Sequence, residues 1–171
     1  MHHRLRQGLR AMRVWFVAPD LRRAALYLSP PLLELFGTMR PVEAQHSLNV
    51  LDTLLLMGET NPSLLVAALL HDVGKARYPF RLWERVLVVV ARKLAPRRIS
   101  AWGDGTPTGW KRPFVISKQH PAWGAQLASQ AGADPLAIEL IARHQSKVDE
   151  PQPPCEQDRL LRSLQAADDE N

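Results

Sequence analysis

Four histidines and two aspartates carry the chemistry open to this sequence. His46, His71, His120 and His144 each stand in an apolar helical context: AQHSLNVLDTLLLM, ALLHDVGK, SKQHPAWGAQL and ELIARHQ. A lone histidine of that kind is usually a satisfied core residue. Four of them, with only the terminal His2 and His3 left over, make independent core roles a poor account. Asp72 follows His71 directly, and the chain closes on LLRSLQAADDEN, where small Ala166 and Ala167 precede Asp168 and Asp169. Imidazole and carboxylate together suit borderline or harder divalent ions: Mn, Fe, Co, Zn or Mg rather than Cu(I). Helical neighbours point about 100° apart, so His71 and Asp72 share one ion only if it lies beyond the helix end. Gly74 is placed to end that helix and make room for a close approach. Further ligands must come from other helices: His46 is one candidate, and one of the closing acids, Asp168 or Asp169, is the other.

The elements that must bring these side chains together read almost entirely as helices. Ser29-Pro30, Asn61-Pro62 and Asp134-Pro135 each set a capping side chain before a proline suited to the first helical turn. The pattern predicts helices over 4–17, 20–28, 30–36, 41–57, 62–73, 80–94, 121–131, 135–145 and 156–168. VLVVV at 86–90 is strand-like by itself, but the charges flanking it in LWERVLVVVARKL favour a helix. Two stretches read as irregular: the Gly-, Trp- and Arg-rich 95–119, as a lid, phosphate-facing loop or surface insertion, and the Pro-rich connection 146–155. The expected fold is all-α, one compact helical bundle in which residues 1–40 supply extra helices packing on a core of 41–171.

A chain of 171 residues, 46% apolar, suits a single core. Its one cysteine, Cys155, excludes an intrachain disulfide and fits a reducing, cytoplasmic setting. The apolar run VWFVA near the N-terminus is too short for a signal peptide, and no later run approaches membrane-spanning length. That segment reads as a basic amphipathic helix of a soluble protein. The net charge of +5 suits nucleic acid, a membrane surface or a small phosphorylated substrate, or simply a solvated basic surface.

The order H…HD…H…H…D, carried by QHSLNV, LLHDVGK, QHPAWGA, IARHQ and LQAADD, resembles the HD superfamily of metal-dependent phosphohydrolases over roughly residues 41–169. That resemblance implies an all-α HD domain in which His46, His71, Asp72 and Asp168 hold a first metal. The middle of the chain is similar to the branch with extra histidines, best known from the HD-GYP phosphodiesterases. By that similarity His120 and His144 help to hold a second metal, with Asp72 bridging. Gln145 stands where that branch has a second histidine, and SKVDEPQPP replaces the GYP signature. A third metal and cyclic di-GMP specificity are therefore not implied; the site reads as holding one or two ions.

Two cations bridged by Asp72 would lower the pKa of a shared water and supply hydroxide near neutral pH. Lys75 is placed either to contact a phosphate or to cap the preceding carbonyls. Arg112 and Lys118, with Arg77 and Arg81, are candidate substrate contacts on charge alone. Asp52 reads as a solvated helix residue, and Trp83 and Trp123 as core. The expected activity is hydrolysis of a phosphomonoester or phosphodiester of a nucleotide or other small phosphorylated metabolite. The rival is an HD module that keeps metal but senses a ligand or protein partner without turnover. Nucleic-acid binding fits less well, because no basic recognition motif stands out.

Overall fold

The computed structural model describes residues 19–146 and 155–171. The helix expected over 4–17, and the 146–155 connection apart from its two ends, lie outside them. Nine α-helices and two 3-10 turns make up the regular structure of the described residues, with no strand. The short α1 (Leu21–Ala24) begins at Asp20, whose carboxylate accepts from the N–H groups of Arg22 and Arg23. Proline opens α2 (Pro30–Gly37), α3 (Pro41–Leu56) and α4 (Pro62–Leu70). It also opens α8 (Pro135–Arg143), and α9 (Glu156–Glu170) closes the chain. Two of the capping signals form as the dipeptides require. Asn61 accepts from the Leu64 N–H at 3.2 Å, and Asp134 from those of Leu136 and Ala137.

At the centre is α4, whose residues Leu64–Leu70 are all buried. A helix apolar on every side must be surrounded, and α4 is packed by α3, α8 and α9. Ala24, Leu28, Leu32, Phe36 and Met39 join the same core. A smaller apolar cluster, built on Phe80, Val88, Ala91, Phe114 and Ile116, lies outside it.

The helix expected to run to residue 73 stops at Leu70. The His71 N–H still bonds the Ala67 carbonyl at 2.8 Å, but Asp72 turns away with φ −97° and ψ 0°, and a 3-10 turn follows over Val73–Arg77. That turn packs tightly on α7 (Arg112–Gln130). A Cβ on Gly74 would lie 2.0 Å from the His120 carbonyl oxygen and 2.7 Å from the Gly124 nitrogen. Close backbone approach, rather than a left-handed conformation, is why glycine stands there.

The stretch 95–119 differs from expectation. After α5 (Leu82–Leu94) come α6 (Pro96–Trp102), a 3-10 turn at Gly109–Lys111, and the first half of α7. Pro96 and Pro113 occupy first-turn positions, where the missing N–H costs nothing, so they start helices instead of breaking them. The helix expected from residue 121 begins at Arg112 and carries Pro121 inside it. Proline there deprives the Ser117 carbonyl of its helical donor. The His120 Nδ1 takes the place of that donor, 3.1 Å from the Ser117 oxygen. Trp83, expected in the core, is 52% exposed, because the helix buries Glu84, Val88 and Ala91 instead. Trp123 is partly buried, with its ring centroid 5.0 Å from that of Tyr78. None of the described helices is long and apolar enough to cross a membrane.

The Gly74–α7 contact is directly testable. Gly74→Ala should cost about 3 kcal/mol or more, since the new methyl group meets backbone on both sides and cannot rotate away. Chemical denaturation should show this loss, whereas Gly37→Ala, at a position open to solvent, should change stability little.

Candidate metal centre

Five helices bring their ligands to one place. His46 comes from the middle of α3, His71 and Asp72 from the end of α4, His120 from α7, His144 from the end of α8 and Asp168 from α9. Asp72 lies between the others, and its two oxygens divide the site. Oδ1 is 3.2 Å from His120 Nε2 and 4.0 Å from His144 Nε2. Oδ2 is 3.8 Å from His71 Nε2, which in turn lies 3.6 Å from Asp168 Oδ1. His46 Nε2 completes that side, 2.8 Å from the same Asp168 oxygen. Two groups result, His46–His71–Asp72 and Asp72–His120–His144, each with its ligand atoms within 4.8 Å of one another. The second is fully enclosed. The first reaches solvent along His46 and Asp168, whose side chains are 26% and 28% exposed.

The proton positions on the three buried rings follow from their backbone contacts. His71 Nδ1 is 2.9 Å from the Ala68 carbonyl, and His144 Nδ1 is 2.8 Å from that of Ile141. His120 Nδ1 lies 3.1 Å from both the Ile116 and Ser117 carbonyls. A carbonyl only accepts, so Nδ1 carries the proton in each ring and Nε2 of the neutral form is a bare lone pair. His120 Nε2 and His144 Nε2 then face each other at 3.3 Å, with Asp72 Oδ1 beside them, as three acceptors without a donor. His71 Nε2 is likewise buried with no hydrogen-bond partner; at 3.6 Å, Asp168 is beyond hydrogen-bond reach. Lone pairs converging in a buried space call for a donor or a cation between them, and this set of ligand atoms fits a divalent metal.

The electrostatics agree at His120 and His144. Burial, reinforced by the neighbouring His71 and His120 rings, pushes the His144 imidazole down to about 3. Burial also lowers His120 against the pull of Asp72. Both rings are therefore neutral and able to ligate at ordinary pH. Burial alone would raise the Asp72 carboxyl, but Lys75, His71 and His120 outweigh it and hold it well below the usual range. Asp168 is held low against burial in the same way by His46 and His71. Burial would depress His71, yet the carboxylates of Asp72 and Asp168 raise it.

The remaining candidates are placed as follows. Lys75 Nζ meets Asp72 Oδ2 at 2.5 Å, so the lysine faces the centre rather than the helix carbonyls. Asp169 is exposed, away from the cluster that Asp168 enters. Arg112 bonds the buried Glu84 carboxylate at 2.5 Å and the Pro79 carbonyl at 3.0 Å. Lys118 bonds Asp104 at 2.6 Å and the Ser100 carbonyl at 3.1 Å. Arg77 lies over the Trp123 and Tyr78 rings, Arg81 is exposed, and Asp52 is paired with Arg23. Glu43 carries no motif signal, although it stands one turn ahead of His46 on α3. It is buried against Arg85 at 2.6 Å. Burial raises its carboxyl while Arg85 and Lys75 oppose, which ties it to the charge balance of the centre.

A family profile described as HD domain matches residues 44–170, a span that contains all six ligand candidates. No curated protein and no solved structure is matched.

Two outcomes follow from this geometry. Metal analysis of the purified protein should find at least one divalent ion per chain, and Asp72→Ala, which removes the group common to both clusters, should reduce it to trace. Stoichiometric metal in that variant would contradict the arrangement. Arg112→Ala should cost about 3–5 kcal/mol in thermal or denaturant unfolding, because it strands Glu84 as a buried, unpaired charge.

Proposed function

The chain belongs to the HD-domain family, a superfamily of metal-dependent hydrolases, and from that premise we propose that it hydrolyses a phosphomonoester or phosphodiester of a nucleotide or other small phosphorylated metabolite. The observation that carries this reading is the set of converging, donorless acceptors around Asp72. His46, His71, Asp72 and Asp168 would hold one divalent ion (Mn, Fe, Co, Zn or Mg), and Asp72, His120 and His144 a second. Ions held there supply Lewis-acid charge for phosphoryl oxygens and a hydroxide near neutral pH.

The protein's own groups divide the remaining work. The carbonyl bonds to Nδ1 of His71, His120 and His144 orient the rings, so little reorganisation is needed when a charged substrate arrives. The enclosed side of the site keeps bulk water away from His120 and His144, while the His46–Asp168 edge is the side on which a phosphate can approach. Lys75, with its side chain 21% exposed and its ammonium already at Asp72, is positioned to meet that phosphate and orient it. Arg112 and Lys118 are occupied by Glu84 and Asp104, which leaves Lys75 as the stronger candidate for a substrate contact.

A panel of phosphomonoesters and phosphodiesters offered to metal-loaded protein tests the proposal, with Asp72→Ala as the inactive control. Metal-loaded protein that turns over none of them would favour the rival role, a ligand-sensing or protein-interaction module. Lys75→Ala should retain its metal and lower kcat by about a hundredfold, the size expected for losing one positioned charge. A kinetically silent Lys75→Ala would confine the lysine to balancing Asp72 in the fold.

A further inference from the structure

Helix α5 has two apolar faces, and among the described residues only one of them is covered. Glu84, Val88 and Ala91 point inward. Leu82, Trp83, Val86, Leu87, Val89, Val90 and Leu94 are all exposed, from 36% at Leu87 to 80% at Leu94. At 100° per residue these seven fall within an arc of about 160°, on the side opposite the buried three. They are seven of the thirteen large apolar side chains exposed among the described residues, so the surface is a concentrated patch rather than ordinary scatter. Trp110, on the 3-10 turn before α7, is also exposed, with the Lys111 ammonium 5.7 Å from its ring centroid.

The charge of the same region selects among occupants. Residues 77–118 hold ten Lys/Arg and two Asp/Glu, against 22 and 17 in the whole chain, so the rest of the chain carries more acid than base. Both acids are already engaged, Glu84 by Arg112 and Asp104 by Lys118. Arg81, Arg92, Lys93, Arg97 and Arg98 are exposed, and none has a carboxylate partner among the described residues. On the helical wheel Arg81 and Arg92 lie together on one side of the apolar arc, Lys93 stands within it near the C-terminal end, and Arg97 and Arg98 are exposed on α6, which follows.

We propose that α5 and α6 form a peripheral docking surface for an anionic lipid bilayer, with the α5 arc seated among the acyl chains and the arginines among the headgroups. A wide apolar face bearing Trp and Leu, edged by Arg and Lys, is the combination that holds a helix in the plane of a membrane interface. It needs no spanning segment, in keeping with the described helices. A second copy of the chain would set the same basic fringe against itself. The N-terminal segment 1–18 has four arginines and no acid, so it offers this region no complementary charge. Nucleic acid would satisfy the arginines and leave the arc wet.

Vesicle flotation of the full-length protein tests this. Vesicles of phosphatidylcholine with phosphatidylglycerol should bind it, those of phosphatidylcholine alone should bind it weakly, and binding should fall as salt is raised. Reversing Arg97 and Arg98 to Glu should weaken binding about tenfold or more. Replacing Val86 and Val90 together by Glu should abolish it, with metal content and circular dichroism unchanged because both side chains face solvent. That variant keeps the N-terminal segment, so vesicle binding that survived in it would overturn the proposal. So would absence of binding by the unaltered chain, whether sedimentation then found a dimer dispersed by the same substitutions or a gel shift found nucleic acid bound instead.

Discussion

A carboxylate buried among imidazoles and one ammonium sets the terms for the rest of this molecule. Asp72 is 5% exposed and stays ionised, which in an apolar interior requires positive charge or hydrogen-bond donors close on every side. No single helix can provide them. Lys75 supplies an ammonium from the turn just beyond, and a cation held by the groups gathered round Asp72, His71 beside it and His120, His144, His46 and Asp168 from four other helices, would supply the rest. The helical bundle is the means of holding these groups within a few ångströms. The all-apolar α4 works in that scheme because its own end must be driven into the centre of the protein. Its termination at Leu70, just before the pair, lets His71 and Asp72 point into a common space instead of diverging around a continuing helix.

Much of this was legible in the sequence because it is local. The Asn61-Pro62 and Asp134-Pro135 caps are satisfied within three residues, so dipeptides sufficed to place α4 and α8. The HD pair after an apolar run, and the small residues before Asp168, mark groups that the structure brings within 4 Å of one another. What could not be read depends on partners distant in the chain. Arg112 offers a charge and nothing more until Glu84, 28 positions earlier, is found beside it. Glu84 itself resembled a solvent-facing helix residue, and its burial is what turns the neighbouring Trp83 outward. The stretch 95–119 was misread for a different reason: proline and glycine mark both the ends and the beginnings of helices, and Pro96 and Pro113 are beginnings.

The two apolar clusters also divide the labour of the fold. The larger surrounds α4 and takes in the helices from Ala24 onward. The smaller binds α5 and α6 to the first half of α7, where the Arg112–Glu84 pair is also formed. These units meet along the line that matters chemically. Arg85 of α5 reaches Glu43 on α3, and Arg40, just ahead of α3, bonds the Phe80 carbonyl. Glu43 lies one turn before His46, so its buried carboxylate ties the basic outer layer into the wall of the candidate metal centre.

Pro121 shows how a gap in one structure becomes a fixture of another. Any other residue there would bring an N–H that competes for the Ser117 carbonyl, and the His120 ring would lose sole claim to it. The imidazole would then rest chiefly on the Ile116 carbonyl, also 3.1 Å away, with its orientation and tautomer held less firmly. The proline thus acts as an absent competitor. The helix gives up one rung of its ladder, and in exchange a side chain one position away is held in a single orientation and protonation state, so that backbone regularity and ligand chemistry at this point of the chain cannot vary independently.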